Sequence, residues 1–259
     1  MIQKTRGAAS TATLLGMPDV GLLSMTEMAE QARRICGAVE LPVFADGDTG
    51  HGNVTNVART MREFERAGVA AIFFEDQVAP KRCGHMSGKQ VIPVEEMVWK
   101  IRAAVDARAD SDLVIMARTD ALAVEGIDRA IERIHTYVEA GADMAFVESP
   151  ESVGQMRRLT QEIGVPQLAN MLPGGRTPSL TTEQLQEIGF AAVAHPTSLT
   201  YAMASAAKLL LRELQVSGHT PDAESRMMRF DEFNRLVGLP EVREREARLC
   251  GLAERESHG

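Results

Sequence analysis

Few cysteines, no long apolar run and no surplus of positive charge bound this 259-residue chain before any motif does. Cys36, Cys83 and Cys250 are too few and too scattered for a disulfide scaffold, which points to a reducing compartment. No run of about 18 apolar residues occurs, so no membrane-spanning helix is expected. The opening MIQKTRGAAS lacks the apolar stretch of a secretory leader, and the cytoplasm is the expected location. A formal charge of −8 argues against a nucleic-acid binder, which needs a basic face. It leaves room for an anionic small molecule, because a local Arg or a metal overrides net charge.

What is present is a recurring alternation. Short apolar runs (LPVFADGD, AAIFFEDQ, DLVIMARTD, DMAFVESP, VPQLANM, AAVAHPTS) have little polar alternation, the pattern of strands buried on both faces of a parallel sheet. Between them lie helix-period stretches, four of which end at Gly68, Gly141, Gly164 and Gly189, where a helix often closes on a left-handed residue. Repeated β-then-α units predict a parallel α/β fold. Polar residues gather at the C-terminal end of every run: Asp46 and Asp48, Glu75 and Asp76, Arg118 and Asp120, Glu148, Asn170, His195. Convergence from many strand ends favours a (β/α)8 barrel over an open sheet, whose function sits at one switch point. Six strands are legible where eight are needed. KTRGAASTATLLGMPDVGL reads as a loop leading into a helix at MTEMAEQARRICGAVE, so the first two strands are expected to be missing. The domain reading is a barrel over 1–207, incomplete at its N-terminus, and a helical segment over 208–259.

Several motifs carry chemistry. In FADGDTGHG, Asp46 and Asp48 at i and i+2 of a strand would face one way, toward a hard divalent cation. The competing reading is a turn in which the Asp side chains cap backbone donors. The glycine order G-x-x-G-x-G is not a dinucleotide fingerprint. A metal site at these strand ends would want Glu75 beside Asp46; a solvated Glu75–Asp76 pair is the plainer alternative. In KRCGH, Lys81, Arg82 and His85 give Cys83 an electropositive setting that favours thiolate, and Gly84 allows close substrate approach. Cys36 and Cys250 have no such neighbours. Arg118 could bind a substrate carboxylate through its planar fork, or pair with Asp120 or Glu148. Asn170 could bind substrate or cap the loop that follows it. His51 and His195 give weak signals, and His135 reads as structural.

Taken together and in order, DGDTGHG, EDQVAPKRCGHM, ARTDALAVEG and LANMLPGGRTP resemble the isocitrate lyase/phosphoenolpyruvate mutase superfamily, from about Gly7 onward. KRCGH is specific to its lyase branch. The resemblance implies a modified TIM-type barrel whose C-terminal helix is exchanged between subunits of a homodimer or homotetramer, making 208–259 a swapping arm. It also implies Mg2+, with Mn2+ as a possible substitute, and a small di- or tricarboxylate substrate. By motif, Asp46 is the direct metal ligand, and Asp48, Glu75 and Asp19 hold its water shell. Arg118, Glu148 and Asn170 line the substrate site, with Gly84, and with Gly7 and Ala8 where the family has a hydroxyl-bearing clamp. Cys83 is the acid/base thiol among Lys81, Arg82 and His85.

The implied reaction is cleavage of a 2-hydroxy dicarboxylate, of 2-alkylmalate or methylisocitrate type, to an oxo acid such as pyruvate. Methylisocitrate lyases carry Thr-Glu-Phe-Gly after the Asn, whereas NMLPGGRTP is closer to 2-alkylmalate lyases and oxaloacetate hydrolases. Oxaloacetate hydrolysis is therefore the nearest alternative. A phosphonate or carboxyphosphonate mutase is disfavoured by the KRCGH cysteine. Arg6-Gly7-Ala8 and the missing strands leave an inactive, shortened homologue as a further alternative.

Overall fold

The computed structural model describes residues 3, 4, 7–220 and 224–250, with side chains from Ser10 onward. Two compact units result, residues 1–200 and 201–259.

In the first unit all six expected strands form: β2 (Val43–Asp46), β3 (Ala71–Glu75), β4 (Val114–Thr119), β5 (Met144–Val147), β6 (Leu168–Asn170) and β7 (Ala192–Ala194). A further strand, β1 (Gln3–Lys4), lies parallel to β2, with Gln3 opposite Val43. Among the described residues the strands therefore number seven rather than six. The segment read as an entry loop also differs, since Gly7–Leu15 is helical. Sequential strands are parallel neighbours throughout β1–β5 and again in β6–β7. A bridge from Ala145 to Gln167 joins the two sets. This succession of parallel β/α units is that of a (β/α)8-type barrel.

Helices between strands pack their apolar stripes outside the sheet. The helix Val54–Ala67 opens on Asn53, which caps the Thr55 and Asn56 amides, and closes on Gly68 in the left-handed region. Gly189 closes Thr182–Ile188 in the same way. Gly164 does not, since the helix Val153–Glu162 ends on an extended Ile163.

Strand alternation then sorts side chains into two cores. Ala45, Ile72, Phe74, Ile115, Ala117, Ala145 and Val147 face outward into the core shared with the helices. Phe44, Phe73, Met116, Phe146, Leu168 and Ala194, one from each of β2–β7, fill the lumen as a separate cluster. Phe73 stacks edge-on against both Phe44 and Phe146, with ring centroids 6.0 Å apart in each pair. Two residues beyond this layer, on the same side of their strands, come Asp46, Glu75, Arg118, Glu148 and Asn170.

The second unit is helical. Its apolar side chains stand largely exposed, including Leu209, Leu211, Phe230, Phe233, Leu236 and Leu249. None of the helices Ser198–Ser217, Phe230–Leu236 and Leu239–Leu249 has a buried residue. Among the described residues no helix is long and apolar enough to cross a membrane.

Candidate active site

Arg118 is the centre of the lumen cluster. Its Nε and Nη2 donate to Asp120 Oδ2 and Oδ1 at 2.9 and 3.2 Å. Nη1 lies 3.0 Å from Glu75 Oε2, and Nη2 lies 3.2 Å from Glu148 Oε2. The guanidinium carbon sits 5.2 Å from the Phe146 ring centroid and 5.9 Å from that of Phe73. The aromatic lumen layer thus supports the cation from below while acids hold it from the sides. Burial alone would lower the proton affinity of Arg118, but Asp120, Glu75 and Glu148 outweigh it and push the affinity well up. Arg118 pairs with both acids named for it from the sequence and with Glu75 besides.

A second cluster lies at the ends of β2 and β3. Lys81 Nζ contacts Asp19 Oδ1 at 2.8 Å and Asp48 Oδ1 at 3.0 Å, with all three side chains largely buried. Asp46 and Asp48 do not project together from a strand as expected. The strand stops at Asp46, and Asp48 takes φ +47° in the turn that follows, its amide donating to Asp46 Oδ1 at 3.0 Å. The turn-cap reading of this motif is the one this hydrogen bond shows. Burial raises Asp48 to about 7, with Asp46 adding to the rise and Lys81 opposing it. Burial also lifts Glu75 well above the carboxylate range, against the pull of Arg118 and Lys81. Neither Glu75 oxygen accepts an aligned hydrogen bond. His51, a weak signal in the sequence, is largely buried with Nε2 unpartnered, and burial lowers its proton affinity.

Among the described residues, no three of His, Cys, Asp or Glu converge tightly enough to enclose a bare ion. The donor set nevertheless fits a hydrated hard cation. Asp19, Asp46, Asp48, Glu75, Asp120 and Glu148 outnumber Lys81, Lys89 and Arg118, so the buried cluster carries excess acid. Glu75 is a buried carboxyl ion-paired to Arg118, with neither oxygen accepting an aligned hydrogen bond. Mg2+ keeps several of its waters and is held by few carboxylates, which is what this spacing permits.

The KRCGH loop folds down on the Arg118 cluster. A Cβ on Gly84 would overlap Glu148 and Arg118 Nη2, so only glycine lets the backbone come this close. His85 Nε2 lies 3.2 Å from Glu148 Oε1, and its Nδ1 lies 3.2 Å from Ser149 Oγ and 3.1 Å from the Arg176 amide. Asn170 Nδ2 donates to Glu148 Oε1 at 3.0 Å, so it lies in the site rather than merely capping its loop. Gly175 packs so near that a Cβ would sit 2.7 Å from His85 Nδ1. The NMLPGGRTP and KRCGH loops therefore meet at His85. Cys83 is half-buried. Arg82 is exposed, and its backbone is held by Gln77, whose Oε1 accepts from the Arg82 amide at 3.0 Å.

Some sequence expectations fail here. Asp76, given as solvated, is fully buried and hydrogen-bonded. His195 is exposed beyond the end of β7 and joins no cluster. Gly7 and Ala8, given as substrate-binding, open the helix Gly7–Leu15, and their side-chain surroundings, like Arg6, lie outside the described residues. Lys89, Asp120 and Ser149 were not named as site residues. For Ser149 a position two residues beyond the strand Met144–Val147 was the only clue; its φ of +59° is invisible in sequence.

A family model described as phosphoenolpyruvate phosphomutase matches residues 5–215. The chain belongs to this family, the phosphoenolpyruvate mutase/isocitrate lyase superfamily. It is 49% identical over 240 residues to 2,3-dimethylmalate lyase of Eubacterium barkeri, covering 93% of this chain and 83% of that one. It is 44% identical over 248 residues to 2-methylisocitrate lyase of Aeropyrum pernix, covering 96% and 80%. Among solved structures, a 2,3-dimethylmalate lyase crystal structure superposes with a TM-score of 0.91 at 34% identity, covering 96% and 83%. A phosphonopyruvate hydrolase solved with oxalate and Mg2+ superposes with a TM-score of 0.83 at 26% identity, covering 95% and 93%.

Proposed function

We propose that this carbon–carbon lyase cleaves a 2-alkylmalate-type 2-hydroxy dicarboxylate to an oxo acid such as pyruvate and a carboxylate, with Cys83 as proton donor. The relative named 2,3-dimethylmalate lyase supports that substrate class. The observation that supports the reading is the seat of Gly84, the residue next to Cys83, directly on Arg118 and Glu148.

Arg118 anchors a substrate carboxylate, exchanging contacts it now makes to acids. Glu148, Asn170 and His85 form the wall that orients the bound acid. Asp46, Asp48, Glu75 and Asp19 hold Mg2+, which when bound supplies Lewis acidity toward the oxo-acid oxygens. The substrate hydroxyl gives its proton to the Glu148 carboxylate of this wall, its oxygen becomes the new carbonyl, and the C–C bond breaks. The bonding pair passes to the departing fragment as an enediolate, and the Cys83 thiol delivers a proton to its carbon. Arg118 stabilises the charge that develops, and the closed loop excludes water.

The protein acts in the cytoplasm as a homodimer or homotetramer, with 208–259 as the exchanged arm. Its scarce cysteines and the exposed apolar side chains of that segment support this.

The test is pyruvate release across a panel of 2-alkylmalates, methylisocitrate, oxaloacetate and phosphonopyruvate. Turnover is expected on 2-alkylmalates, abolished by a chelator and restored by Mg2+. Cys83→Ala is expected to lower kcat by roughly 10²–10⁴-fold with the fold intact. Full turnover by Cys83→Ala rules out the thiol role, and oxaloacetate as the sole substrate replaces the lyase reading with a hydrolase.

A further inference from the structure

The segment Met86–Gln90 is exposed at every residue but one. Met86, Ser87, Gly88 and Gln90 face solvent, while the Lys89 side chain is only 2% exposed. Its ammonium donates to the Gly84 carbonyl and to Asp120 Oδ1, the latter at 2.7 Å. Gly84 immediately follows Cys83, so Lys89 folds back to clamp the peptide beside the thiol. Ser149 Oγ donates to the same carbonyl at 3.2 Å from the other side.

The far end of this clamp is rigid. Asp120 Oδ1 is shared between Lys89 and Arg118 Nη2, and Oδ2 takes Arg118 Nε. Its amide donates to buried Asp76 Oδ1 at 2.9 Å. Asp120 therefore belongs to the barrel frame, and Lys89 belongs to the loop.

We propose that Lys89 is a positioning residue, a latch that holds the Cys83 loop shut over Arg118 through Asp120. A buried ammonium is tolerated only when paired and hydrogen-bonded; the Gly84 carbonyl travels with the loop, whereas the charged partner Asp120 is on the frame and is met only with the loop down. Opening returns Lys89 to water and leaves Asp120 with Arg118 alone, so the two loop states differ by defined charge-assisted contacts. The catalytic consequence rests on the lyase reading above, whereas the loop geometry does not.

The experiment compares full-length wild type, Lys89→Met and Lys89→Arg. Cys83 alkylation by iodoacetamide is followed by peptide mass spectrometry, alongside circular dichroism, thermal melting, kcat and KM. In Lys89→Met the Cys83 alkylation rate is expected to rise about tenfold or more, the factor that loss of a charge-assisted hydrogen bond implies. Its kcat is expected to fall about 10–100-fold, as for a reacting group misplaced by about an ångström, with KM changed far less. Lys89→Arg restores part of both. Unchanged alkylation in a folded Lys89→Met protein overturns the latch. If Lys89→Met does not fold, Lys89→Arg with wild-type protection supports a cationic latch, and Lys89→Gln with the same protection overturns it. Faster alkylation without turnover on any substrate supports the latch and counts against the lyase reading instead.

Discussion

Glu75 and Asp76 are adjacent, both acidic and both fully buried, yet their environments are opposite. Glu75 faces the lumen, where neither oxygen accepts an aligned hydrogen bond and burial lifts its proton affinity well up. Asp76 faces outward toward the helix Ile127–Glu139 and is saturated. Thr119 Oγ1, the Asp120 amide and Tyr137 Oη donate to it at 2.7, 2.9 and 2.9 Å, and Arg133 Nη1 stands 3.4 Å away. Burial also raises Asp76, but here hydrogen bonds from Thr119, Asp120 and Tyr137 oppose the rise. A carboxylate saturated by donors is scaffold; Glu75, ion-paired to Arg118 but without an aligned hydrogen bond, has oxygens left for a further partner.

Removing either acid should break the comparison in a different way. Asp76→Ala leaves the Thr119 hydroxyl, the Asp120 amide and the Tyr137 hydroxyl without their buried acceptor and, at about 1 kcal/mol or more per stranded donor, is expected to cost about 3 kcal/mol or more of stability, read by urea unfolding. Glu75→Gln should lower kcat by roughly 10²–10³-fold, on the scale of losing one electrostatic stabiliser, while Tm holds or rises. A Glu75→Gln enzyme that keeps full turnover would remove the distinction between the two acids.

Smaller effects sharpen the contrast. Asp48 belongs with Glu75, and its ordinary value near 3.8 rises to about 7 on burial. Between those values the metal-free folded chain keeps a proton that the unfolded chain releases. Stability is therefore highest at the acid end of the window and falls as pH climbs toward 7, by up to about 1.4 kcal/mol per pH unit. Thermal melts in chelator across that range should show a shallower slope in Asp48→Asn than in wild type, with the raised Glu75 and Asp76 carrying the remainder. Tyr137→Phe removes one of several donors to Asp76 and should cost only about 1 kcal/mol, checked by the same unfolding titration.

The strands and the chemistry at their C-terminal ends were legible because buried parallel strands are nearly all apolar, so a polar residue at the end of one stands out. Asp46, Glu75, Arg118, Glu148 and Asn170 were found that way, and alternation then places them on one side. The short strand Gln3–Lys4 was not legible, since two polar residues carry no apolar signal. The fate of Asp76 was hidden because its donors come from 43 to 61 positions away. Lys89 was hidden for a similar reason, its Asp120 partner lying 31 positions on. His195 misled because the strand that precedes it, Ala192–Ala194, turns its inward parity to Ala194.

The lumen layer of Phe44, Phe73, Met116, Phe146 and Leu168 has a consequence for traffic. It stops up the lumen beneath Arg118, so the path toward the N-terminal strand ends is closed to small polar molecules. On the lyase reading, substrate is then expected to arrive past the Cys83 loop, with both fragments departing the same way. On that reading one turnover has the loop lift once for entry and once for release, and the order in which the two products leave is set at that doorway.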